Sequence, residues 1–173
     1  MKFGVYGAYE LPRINGKVID DTAKSKRTFW DAIDEEIEGL SGACGCYIFA
    51  AHNKPWYVGR ACKQSFRKEC LAHHKVSAYN HVLGRYERAA PWLYLLPKLT
   101  PAENFANPSV NGHRDISALE KILIGFALAR NEDAVNISGT KFLREMNVPG
   151  IINSKPGQSS STAVKGIRSL FGF

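Results

Sequence analysis

Two phenols, a guanidinium, a carboxylate and a carboxamide stand along this 173-residue chain in an order that reads as a metal-dependent nuclease centre: Tyr47, Tyr57, Arg67, Glu120 and Asn153. The tyrosines belong to Gly45-Cys46-Tyr47 and Tyr57-Val58-Gly59, with nine residues between them, and Arg67 follows Gly59 by eight. Each residue alone has a plainer explanation. Tyr47 and Tyr57 suit any strand, Arg67 any surface, Glu120 a capping box with Ser117, and Asn153 a turn before Pro156 and Gly157. Their joint order is what favours a single centre.

The elements that must carry these groups follow from local pattern. Cys46 to Ala51 and Trp56 to Val58 are rich in aromatic and branched residues, and His52 to Pro55 between them suits a hairpin loop of about four residues. Side chains alternate on a strand, so Tyr47, Phe49 and Ala51 share one face and Tyr47 meets Tyr57 across the pair. Ser65 is a serviceable N-cap for a helix running through His74, which carries Arg67 on a flank with Leu71 and His74, turned towards the hairpin. Trp92 to Leu96, between Pro91 and Pro97, reads as a third buried strand. The recurrence of Ile116, Leu119, Ile122, Leu123, Phe126 and Ala127 predicts a helix ending near Asn131, with Glu120 at the edge of its apolar stripe. Val135 to Asn147 is ambiguous between loop and short helix, and Gly150 to Asn153 reads as an extended return to the core.

This arrangement resembles the GIY-YIG endonuclease superfamily, over roughly residues 43 to 155. That resemblance implies an α+β fold in which a small three-stranded antiparallel sheet is flanked by helices. It divides the chain into an extension at 1–42 with an acidic helix packed on the core, a nuclease-like core at 43–155, and a linker with a basic tail at 156–173. The implied activity is hydrolysis of phosphodiester bonds in nucleic acid, with double-stranded DNA as the expected partner and one Mg2+ or Mn2+ as cofactor. In the implied roles Glu120 holds the cation, Arg67 binds the scissile phosphate, Tyr47 orients or deprotonates water, Tyr57 assists it, and Asn153 positions them. The chain departs from the family's pattern at Leu71, where His, Tyr or Lys is usual; His73, His74 or His81 stand as substitutes, and His74 is the fallback base.

Charge agrees with a polyanionic partner. Between residues 54 and 88 eight basic residues face two acidic ones, a net of +6 within a chain total of +7. Arg60, Lys63, Lys68 and Lys75 are the candidate substrate contacts, and binding through such a patch falls steeply with salt. The plainer explanation of the same residues is an ordinary solvated basic face. By contrast Asp31, Asp34, Glu35, Glu36 and Glu38 make the early helix acidic, and substrate phosphate is not expected there. Phe29, Ile33, Ile37 and Leu40 give that helix a core face, stopped near Gly39 and Gly42.

Length and a 45% hydrophobic content allow one domain with a sizeable core. No unbroken apolar run exceeds about 10 residues, and Met1 to Tyr6 lacks the apolar stretch of a secretory signal. The expectation is a cytoplasmic protein that spans no membrane. Cys44, Cys46, Cys62 and Cys70 have poor zinc spacing and read as free structural thiols. Two other classes stay open beside the nuclease: a catalytically silent nucleic-acid-binding module on the same scaffold, and a protein adaptor using the acidic helix.

Overall fold

The computed structural model of the chain describes residues 1–86, 89–136, 140, 145–152, 154 and 161–171. They fall into two compact units, 1–136 and 137–173. In the first, a core hairpin of β5 (Gly45–Ala51) and β6 (Lys54–Ala61) is joined by β7 (Pro91–Leu99), which lies on the far side of β5. Ahead of them run β1 (Lys2–Phe3), β2 (Tyr6–Glu10), a small β3–β4 ribbon (Arg13–Ile14 with Val18–Ile19), and α1 (Ala23–Glu36). Helices α2 (Phe66–Glu69), α3 (His73–Leu83) and α4 (Arg114–Arg130) complete the unit.

The class is α+β with a wholly antiparallel main sheet, but the sheet has five strands where three are expected. The extra two are β1 and β2, which pair along the outer edge of β7 and so bring the first ten residues into the sheet. These pieces, of two and five residues with glycines at 4 and 7, are too short to declare a strand period. Proline is tolerated inside β7 because each proline serves its outer neighbour as acceptor only. The carbonyls of Pro91 and Pro97 take the amides of Leu11 and Gly4, both at 2.9 Å.

The hairpin turn is tighter than the sequence suggests. His52 and Asn53 take positive φ, 51° and 57°, so a two-residue turn closes the loop and Lys54 and Pro55 belong to β6. Register then puts Tyr47 opposite Gly59 and Phe49 opposite Tyr57. Glycine is required at both ends of this motif by close approach. A Cβ on Gly45 would lie 2.1 Å from the Leu96 carbonyl oxygen, and one on Gly59 would lie 2.3 Å from Cζ of Tyr47.

The single helix expected from Ser65 to His74 is two. Helix α2 stops at Glu69, the chain extends at Ala72 with ψ 146°, and α3 begins at His73. Cys70 and Leu71 lie between them with 0% and 2% exposure, so the linking residues are part of the core. The Tyr79 hydroxyl takes up the Cys70 carbonyl freed by the break, donating to it at 3.1 Å.

One face of the sheet, carrying Tyr47, Phe49, Ala51, Leu93 and Leu95, packs against Trp30 and Ile33 of α1 and Val76, Tyr79 and Val82 of α3. The other carries Cys46 and meets Ile116, Leu119 and Leu123 of α4. Three thiols are buried and all four are free. In the second unit the expected extended return is a turn: Val148 and Ile152 exchange both backbone hydrogen bonds, 3.0 and 2.9 Å, around Gly150 at φ +81°. Beyond it a last helix, α5 (Thr162–Phe171), starts at Ser161, whose hydroxyl accepts the Val164 amide at 3.3 Å. Among the described residues no helix is long and apolar enough to cross a membrane.

Candidate functional site around the β6 edge

Strand β6 ends the sheet, and its open edge is held by asparagines that the sequence did not single out. The side chain of Asn136 copies a strand: Oδ1 accepts the Val58 amide at 2.9 Å and Nδ2 donates to the Val58 carbonyl at 2.6 Å. Asn131 adds a donor to the Pro55 carbonyl at 2.9 Å, and the Val135 amide reaches the Trp56 carbonyl at 2.7 Å. Among the described residues, Asn136 therefore meets the Tyr57-Val58-Gly59 motif. Asn153, expected in that role, lies outside the described residues.

Outward from this edge stand two charge pairs, one at Tyr57 and one at Arg60. Lys75 of α3 donates to the Tyr57 hydroxyl oxygen at 2.6 Å, and its ammonium sits 3.5 Å from the Glu69 carboxylate. Both charged side chains are mostly covered, 15% and 17% exposed. Burial works to lower the Lys75 pKa, but the contacts with Tyr57 and Glu69 outweigh it and hold the ammonium above the usual lysine value. From the α4 side, Glu120 faces Arg60 of β6 at 3.3 Å, and the same guanidinium donates to the Ser117 hydroxyl at 2.6 Å. Ser117 is thus spent on Arg60 and on the His113 carbonyl, and no capping box with Glu120 forms, because α4 starts three residues earlier at Arg114. Burial raises the Glu120 carboxyl above its usual range against the opposing pull of Arg60 and Lys75, while Glu69 pushes the same way as burial.

Beside these pairs opens a cleft of about 460 Å³ whose lining includes Arg60, Lys63, Arg114, His113, Ser117 and Glu69. Four of those six are basic or titratable to cations, and Lys63 and Arg114 are exposed at its rim. Arg114, His113 and Ser117 come from the loop and helix start after β7. Nothing local marks them as neighbours of Arg60, because only the fold brings residue 113 next to residue 60.

The remaining expected residues separate from this group. Arg67 does not turn to the hairpin: it is bound to the acidic helix, Nη2 at 2.8 Å from Asp31 and 3.1 Å from Asp34, with Nε donating to the Ser41 hydroxyl at 3.0 Å. Asp34 in turn accepts from the Ser41 amide and hydroxyl, so the cation is answered by an ordered acidic pocket. The Arg67 contact is also the leading cause that holds the Asp31 carboxyl below its usual range. The split of the predicted helix is the physical reason, since α2 alone carries Arg67 over the 3-10 turn Leu40–Gly42 and towards α1.

Tyr47 does meet Tyr57, their ring centroids 6.1 Å apart and stacked. Its hydroxyl, however, is fully buried without a hydrogen-bond partner, and burial pushes the phenol pKa well above its ordinary value. The Tyr79 hydroxyl lies close enough for the two phenols to act on each other as hydrogen-bonding neighbours, but the geometry completes no bond between them and Tyr79 gives its hydrogen to Cys70. A sealed phenol of that kind neither reaches water nor accepts its proton. His73 and His74 open α3 rather than close a helix, so imidazolium there opposes the helix dipole, and both are exposed. Leu71 is core.

Among the described basic residues of the 54–88 segment, Arg60, Arg67 and Lys75 are neutralised by carboxylates within 3.5 Å, so the free cationic surface is smaller than the sequence sum implies. As a cation ligand Glu120 has the right chemistry but stands alone: among the described residues no group of three or more His, Cys, Asp or Glu converges to hold a metal. The donor set fits an ion shared with a bound phosphate and does not fit a protein-only cage. Comparison with family models, with curated proteins and with solved structures returns no match for this chain.

Proposed function

We propose that this chain hydrolyses phosphodiester bonds of DNA at the β6 edge, with one divalent cation, Mg2+ or Mn2+, held by Glu120. The observation that carries the reading is that β6, α3 and α4 supply two charge-assisted pairs along this edge, Lys75 with Tyr57 and Arg60 with Glu120, and that Arg60 lines a cleft rich in cations. The antiparallel β5–β6 hairpin, joined by β7, is also consistent with the three-stranded core that the GIY-YIG resemblance implies.

The roles differ from those the sequence alone suggests. Arg60 is the cleft guanidinium that stands beside Glu120, and it takes the scissile phosphate, exchanging its Glu120 partner for a phosphate oxygen as the substrate arrives. Lys75 fills an acceptor position on the Tyr57 oxygen, which leaves the Tyr57 hydrogen to be aimed at the attacking water or a phosphate oxygen. Asn136 fixes the strand that carries Tyr57 and Arg60. A divalent cation, when bound, neutralises phosphate charge and makes a coordinated water more acidic. Glu120, raised in pKa by burial, is a carboxylate whose ionised form gains most from such a neighbour.

Supercoiled plasmid incubated with Mg2+, Mn2+ or EDTA tests this. Nicking or linearisation is expected only with the cations, and Glu120→Gln, folded normally, loses about 100-fold or more. Cleavage in EDTA, or an undiminished variant, refutes the assignment.

A second reading rests on two observations of its own. Arg67 is occupied by Asp31 and Asp34, and Tyr47 is sealed, so two of the groups that the resemblance makes catalytic are absent from the cleft. A nucleic-acid-binding module without chemistry would look the same. Salt-sensitive mobility shifts with no cleavage under either cation favour it.

A further inference from the structure

On the side of the first unit formed by β2 and α1 lies a groove of about 370 Å³, apart from the β6 edge. Its floor is apolar, from Tyr9, Pro12, Phe29 and Ile33, and its rim carries two carboxylates, Glu10 and Glu36. Arg13 shares the Glu10 charge at 3.5 Å, which leaves Glu36 as the stronger pole. Burial first, and the Glu36 charge second, push the Tyr9 phenol up, so that charge is felt inside the groove.

The same chain carries a ligand of matching chemistry. In α5, Val164, Ile167 and Leu170 follow one another at three-residue spacing and form one stripe, while Lys165 and Arg168 flank it. The stripe is not covered: Ile167 is 40% exposed and Leu170 85%. An apolar stripe edged with cations complements an apolar floor edged with carboxylates in both respects.

We propose that this groove receives α5 of a second copy of the chain, in a reciprocal two-fold exchange. Leu170 and Ile167 enter between Tyr9 and Phe29, and Arg168 pairs with Glu36. A helix of 10 residues is about 15 Å long. Made once, its contact is small; the two-fold operator makes it twice and brings the interface towards the roughly 1,200 Å² at which specific complexes begin.

Sedimentation equilibrium of the full chain between about 1 and 100 µM, the range of modest interfaces, tests the exchange. A concentration-dependent dimer is expected. Leu170→Glu, on an exposed position that leaves the circular dichroism unchanged, weakens it by at least about tenfold. Glu36→Lys weakens it too, and adding Arg168→Glu to that variant restores it. A chain that stays monomeric at 100 µM overturns the proposal, including one whose α5 is captured instead by anionic lipid vesicles. So does a dimer indifferent to Leu170→Glu, or a charge reversal that does not rescue. The nuclease reading stands apart: an active monomer removes the dimer alone, and an inactive dimer removes the nuclease alone.

Discussion

Tyr47→Phe separates what this fold does from what its motif implies. The Tyr47 hydroxyl is buried with no partner, and the ring fits against Gly59 so closely that a Cβ there would fall 2.4 Å from the oxygen. Leaving a buried hydroxyl unsatisfied costs about 1–3 kcal/mol of desolvation. Deleting the oxygen recovers that cost and gives up only the dispersion contacts of one atom, each worth about 0.1–0.2 kcal/mol. The balance is a gain of about 1 kcal/mol, which in a chain of this size corresponds to a melting point about 2–4 °C higher. Urea unfolding followed by circular dichroism measures it, with the slope checked for change before the midpoint is read as stability. On the proposed roles, cleavage by the variant stays within about threefold of the parent, because the Tyr47 hydroxyl is sealed whereas the Tyr57 hydroxyl is bound by Lys75 at the β6 edge. A destabilisation of about 1 kcal/mol or more would mean that the hydroxyl has a partner. A tenfold loss of cleavage with the fold intact would mean that it reaches the reacting groups, and the assignment of Tyr57 would then fall.

Three further outcomes follow from the same geometry. Arg60→Ala is expected to lower cleavage by about 100-fold while Arg67→Ala costs less than threefold, measured as initial nicking rates on folded variants; the reverse order would return the phosphate to Arg67. Asn136→Asp replaces the Nδ2 donor, 2.6 Å from the Val58 carbonyl, with an oxygen that repels it, and should cost about 3 kcal/mol in urea unfolding; a loss under about 1 kcal/mol speaks against the clamp. Burial works to raise the Asp115 carboxyl, but Lys98 at 2.8 Å and the Ile116 amide outweigh it and set it below the usual 3.8. The unfolded chain therefore binds that proton more tightly, so the stabilisation is complete above pH 3.8 and lost as the pH falls beneath it. Asp115→Asn should flatten that acid limb of the melting curve against pH, and an unchanged limb would refute the linkage.

Much of the scaffold lay open in the residues. Alternation and turn chemistry announce the β5–β6 hairpin, a 3.6-residue period announces α4, and Phe29 and Ile33 announce the core face of α1, because each depends on neighbours a few positions away. Gly45 and Gly59 could be seen as part of a motif, while the reason for them, contact with Leu96 and with the Tyr47 ring, is a cross-strand matter.

What only tertiary structure decided is which charges find each other. Arg67 has one sequence context and two possible partners, the hairpin and the acidic helix, and the break at Cys70–Ala72 that buries Leu71 sends it to Asp31 and Asp34. Arg60 and Glu120, far apart along the chain, meet because α4 packs on the Cys46 face of the sheet. Asn136 becomes the clamp of the β6 edge because that edge leaves the Val58 amide and carbonyl bare. Periodicity fixes which face of an element is apolar, whereas a side-chain ion pair depends on where two faces are laid together, and that is settled by the packing of the whole core.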